Sequence, residues 1–131
     1  MPPTTSRTRT LPPVALALGD AAVFVLWAAL GLARHAEGIT AAGLARNAGF
    51  VALGWFAVAP FLRTYARPGF RTLVPTWAAG VTLGVVIRWI ALRRPLVEDE
   101  LVFLLVTLAV TLVLLLAWRV AAAALGRLIR R

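Results

Sequence analysis

Four apolar stretches packed into only 131 residues constrain this chain more than anything else in it. They cover about residues 14–33, 47–66, 72–92 and 100–120, with hardly a charge inside them. Each approaches the roughly 20 residues a helix needs to cross a hydrocarbon core of about 30 Å. The chain therefore reads as an all-α polytopic membrane protein, a bundle of four transmembrane helices over residues 14–126. What remains is a polar tail, 1–13, with Arg7, Arg9 and four prolines, read as disordered, and a short basic tail, 127–131. A soluble catalytic domain has no room.

Composition narrows the chemistry. Hydrophobic residues make up 61% of the chain and charged residues 15%, against roughly 45–50% and about 25% in soluble domains. There is no cysteine, which excludes disulfides, iron–sulfur clusters and thiolate metal sites. One histidine and one methionine argue against a metal or haem centre, so no cofactor is expected. All 14 basic residues are arginine, and the missing lysine fits a GC-rich prokaryotic genome. A net charge of +9 would suggest nucleic acid in a soluble protein. Here the arginines flank apolar segments, so the lipid bilayer is the expected partner and nucleic acid is not.

Those arginines also suggest an orientation. Four spans put both tails and the middle loop on one side, with nine arginines: 7, 9, 63, 67, 71, 119, 127, 130 and 131. The other side holds four, Arg34, Arg46, Arg93 and Arg94. The positive-inside rule then places both termini in the cytoplasm, in a multi-pass protein of the cell (inner) membrane. The first span is too long for a secretory leader, carries Asp20 and has no small-x-small cleavage site. Pro68-Gly69 breaks the chain between spans 2 and 3, Pro75 suits the first turn of span 3, and Pro95 ends it. Segment 34–47 reads as the longest loop, with a short interfacial helix at Ala41–Arg46.

Few polar residues lie inside the spans. Asp20 sits about a third of the way into the first, where an unpaired carboxylate is costly. It is either a proton or cation site or a structural carboxylate paired with an arginine. Arg119 and Arg63 lie near its height at 1.5 Å per residue. Arg119 is favoured, because the first and last helices are neighbours in any closed ring of four. Arg88, near the outer end of the third span, either snorkels beside Trp89 or contacts an anionic group. Glu37, Glu98 and His35 are its candidate partners. His35, alone at the outer end of span 1, reads as a solvated residue or a pH-sensitive one. Thr76, Gly80, Gly84 and Arg88 recur every four residues, which sets a Gly-x-x-x-Gly contact face on span 3. Thr107, Thr111, Leu115 and Arg119 form a similar stripe on span 4, the threonines bonding their own helix. Trp55 reads as core packing, Trp89 and Trp118 as interfacial belts.

Catalytic motifs are absent, and no enzyme activity is expected. Two classes remain. One is a small oligomeric carrier or channel using the intramembrane Asp20, with its pathway between copies, since four short spans enclose little volume. The other is a non-transporting structural or accessory subunit beside a membrane partner protein.

The order of these residues resembles the small prokaryotic four-span membrane proteins grouped as DUF3054, a domain of unknown function. An Asp near the start of helix 1 is similar to Asp20. A Gly-Arg-x-x-His turn is similar to Gly31-Leu32-Ala33-Arg34-His35. A Phe…Gly-Trp segment resembles Phe50 through Gly54-Trp55, and a Trp…Gly…Arg run resembles Trp77, Gly80, Gly84 and Arg88. A closing Trp-Arg resembles Trp118-Arg119. The chain departs from that pattern at Gly49, where a proline is expected, and at Arg34, displaced toward His35. The resemblance implies a four-helix membrane fold and no known activity. It directs attention to Asp20, His35 and Arg88.

Overall fold

The computed structural model describes residues 11–94 and 98–129. The expectations for the polar tail before residue 11, for Pro95 and for the last two arginines lie outside these residues. Four helices follow one another: α1 Pro13–Leu32, α2 Ala41–Val58, α3 Phe70–Ala91 and α4 Glu98–Leu128. Each is long and apolar enough to cross a membrane, and there is no strand among the described residues. Many of their large apolar side chains point outward, among them Leu18, Leu53, Ile90, Leu105 and Val113. That surface is what lipid requires and water penalises.

The helix ends differ from the hydropathy reading, each for a local reason. α2 starts at Ala41, so the supposed interfacial helix is its first turn-and-a-half. Thr40 caps it, its Oγ1 accepting from the Gly43 N–H at 3.0 Å. α2 also stops at Val58 rather than 66, because Pro60 follows and has no N–H to continue the ladder. Residues 59–66 turn back instead, and Arg63 adopts a left-handed conformation there (φ 55°). At the other end of the chain α4 continues to Leu128. Ala121–Ala124 favour helix, and a helix need not stop where a span's apolar run ends.

α3 is not uniform. Between its regular parts, Phe70–Thr76 and Thr82–Ala91, it widens into i→i+5 turns over Trp77–Val81. The widened stretch packs on α2, and the Trp77 indole N–H donates to the Leu108 carbonyl of α4 at 2.9 Å. At the α2–α3 seam backbone meets backbone. A Cβ on Gly54 would stand 2.3 Å from the Gly80 carbonyl oxygen, and one on Gly84 would stand 2.6 Å from that of Phe50. Backbone cannot yield to a methyl group, so the Gly80/Gly84 face packs within this chain. α1 packs on both α2 and α4, which makes the first and last helices neighbours. Phe24 meets Trp55 edge-on at 5.5 Å in the centre of the core.

Candidate functional site

Two ionic centres are buried in the bundle, one toward each end. The first forms at the end where α1 begins and α4 finishes. Asp20 of α1 is 0% exposed, and its Oδ2 accepts from Arg119 Nη2 at 2.9 Å and from the Tyr65 hydroxyl at 2.6 Å. Tyr65 in turn accepts from the Trp55 indole N–H at 2.8 Å. Helix α1, the turn after α2 and helix α4 are thus tied at one oxygen. The Arg119 guanidinium also lies 5.8 Å from the Tyr65 ring centre. Arg63, the other candidate partner, is exposed and outside the centre. The Trp118 indole lies against the bare Gly19 backbone of α1, where a Cβ would be 2.0 Å from the ring, and its Nε1 is buried without a partner. Beside this centre Thr64 and Thr76 share a hydrogen bond, and the Thr76 hydroxyl reaches back to the Thr72 carbonyl at 2.6 Å.

The second centre lies at the opposite end, around Arg88. Arg88 is buried, its side chain 8% exposed, and it does not snorkel. Its contacts are long. Nη1 is 3.5 Å from Glu100 Oε2 and Nε is 3.3 Å from Asn47 Oδ1, where a strong charge-assisted bond measures about 2.7–2.9 Å. The Phe103 ring centre lies 4.4 Å from its guanidinium carbon. Glu100 is shared, because Arg94 also approaches it at 3.5 Å. Glu37, Glu98 and His35 are therefore not the partners of Arg88. All three are exposed, and the acid that faces it is Glu100, lowered from the first turn of α4.

Arg88 opens into a basin of about 800 Å³. Arg34, Arg46 and Arg94 line it together with His35 and Glu37. Thr107 reaches its wall from α4, and one turn on the Thr111 hydroxyl bonds the Thr107 carbonyl at 2.6 Å. Four guanidiniums and one imidazole thus face three carboxylates, of which Glu100 is already divided between two arginines. Such a set can hold an oxyanion by ionic hydrogen bonds.

The structure brings Asp20 and Arg119 together and keeps both away from Arg88 and His35. Sequence reasoning missed Tyr65, Glu100, Asn47 and Phe103. Tyr65 carried a faint signal, the only tyrosine of the chain placed just after a proline-broken helix. Asn47 carried another, an amide inside a span.

No curated protein and no solved structure matches the chain. Residues 17–122, which hold both centres, match one family, whose description is "Protein of unknown function (DUF3054)". A match over that much of the chain places both buried pairs inside the shared domain, and this four-helix protein belongs to the DUF3054 family.

Proposed function

We propose that this multi-pass membrane protein binds a small anionic solute, a carboxylate or phosphoryl compound, in the Arg88 basin, as the recognition step of a small oligomeric carrier. One observation carries the reading: a buried arginine, whose polar side-chain contacts measure 3.3–3.5 Å, faces a cavity lined by three more arginines. A charge in a span is costly and marks function by default. The loose geometry leaves Arg88 hydrogen-bonding capacity that a ligand oxyanion would use. Asp20 takes the other role open to it, a lock on the fold, since it is fully buried and doubly bonded. The nine-to-four arginine asymmetry supports an orientation with both termini cytoplasmic and the basin on the outer face. Binding and release of the solute involve no covalent step.

The test is thermal unfolding of the detergent-purified protein with a panel of small anions, including inorganic phosphate and succinate, against matched cations. An anion at ten times its Kd adds about 1.4 kcal/mol, a rise of several degrees. The rise is expected to vanish in Arg88→Gln. If no anion stabilises the wild type more than it stabilises Arg88→Gln, the reading is wrong.

A further inference from the structure

A second cavity, of about 410 Å³, lies at the opposite end from the basin. Its walls are apolar, with Leu16 of α1, Phe70 and Leu73 of α3 and Val120 of α4. Its charged members are Arg119 and Arg127. Arg119 is occupied by Asp20. Arg127 follows eight residues later on the same helix, about 12 Å further out at 1.5 Å per residue. The Pro68-Gly69 turn completes the rim, and just outside the lining Arg67, before that turn, and Arg71, in the first turn of α3, are both exposed.

Charge decides what suits this cleft. Of the five acids in the chain, Glu37, Glu98, Asp99 and Glu100 lie at the other end, and Asp20 is engaged with Arg119. The rim is left with guanidiniums and no carboxylate among the described residues. An apolar slot beneath a purely cationic rim, at the level where a membrane helix ends, matches an acyl chain beneath a phosphate. We infer that the cleft holds one anionic phospholipid, with a chain along Leu16, Leu73 and Val120 and its phosphate on Arg127, assisted by Arg67 and Arg71. Basic pockets between membrane helices select anionic headgroups in this way, and arginine pairs with phosphate through two parallel N–H donors. The chain's own first ten residues are the competing occupant. They carry Arg7 and Arg9 and no acid, so their charge opposes the rim. A zwitterionic lipid would fill the slot without satisfying the rim.

The test is native mass spectrometry of the full chain, loaded with equal phosphatidylglycerol and phosphatidylcholine. Phosphatidylglycerol is expected to be retained in preference, with one tight equivalent per chain. Arg127→Gln is expected to cut that preference about fivefold, the equivalent of one basic residue near an anionic surface. Arg127→Lys keeps most of it. Arg88→Gln leaves it unchanged, which separates this site from the anion basin. The ratio of two lipids on the same folded sample keeps the measurement independent of any loss of yield. Equal retention of both lipids, or a preference that survives Arg127→Gln, would overturn the inference. So would a deletion of residues 2–10 that raises retention of both lipids alike, since that assigns the cleft to the N-terminal segment.

Discussion

Arg119 and Arg88 are both arginines inside a membrane-length helix, both face one carboxylate, and they are built differently. Arg119 meets a fully buried acid at 2.9 Å, and a tyrosine closes the same oxygen at 2.6 Å. Arg88 meets its acid at 3.5 Å, shares it with the half-exposed Arg94, and faces a basin. The first geometry closes Asp20 Oδ2 with short ionic hydrogen bonds and ties three segments of chain together, while Asp20 Oδ1 and Arg119 Nη1 stay buried without a partner. The second has only long polar contacts and leaves its donors beside an open basin. A buried ion pair is therefore not one kind of object: contact distance and access separate a sealed pair from an open one.

The sharpest way to break the comparison is Arg119→Leu. It strands a buried carboxylate, and a loss of about 3–5 kcal/mol of stability is expected. The same substitution in an Asp20→Asn background should cost much less. Additive losses in that double-mutant cycle, read by reversible unfolding in detergent, would mean that the pair is not coupled. Tyr65→Phe comes next. It removes a hydrogen bond to a charged group and orphans the Trp55 N–H, for an expected loss of about 1.5–3 kcal/mol in the same unfolding measurement. The smallest effect on stability belongs to the open centre. Glu100→Gln removes the acid that competes for Arg88 and Arg94. It should cost less stability than Arg119→Leu, because the contacts it removes are 3.5 Å long and open on a basin, while raising anion affinity about fivefold, measured by calorimetric titration. If Glu100→Gln destabilised the chain as strongly as Arg119→Leu, the two centres would be alike and the distinction would fall.

Part of this was legible in the residues alone. The Asp20–Arg119 pair followed from rise per residue and from the adjacency of first and last helices. The Gly80/Gly84 face followed from its four-residue spacing. Tyr65 did not, because hydropathy carried span 2 through Pro60 and hid the turn that brings the tyrosine back to Asp20. Glu100 did not, because three consecutive acids look like a solvated loop. In the structure they open α4, and one of the three rotates inward.

Hydropathy is a sum over neighbours in the chain, and so four apolar helices, the absence of thiol chemistry and the asymmetry of arginine were determined by the sequence itself. Which carboxylate meets which guanidinium was not. Asp20 and Tyr65 are 45 positions apart, and Asp20 and Arg119 are 99 apart. Their contact depends on where Pro60 ends a helix and how closely glycine lets α2 and α3 approach. Whether an arginine sits 2.9 or 3.5 Å from its acid, sealed or beside a cavity, is a difference of less than 1 Å set by packing. Only the tertiary structure resolves it, because ionic hydrogen bonds and solvent access change steeply over that distance while the local sequence stays the same.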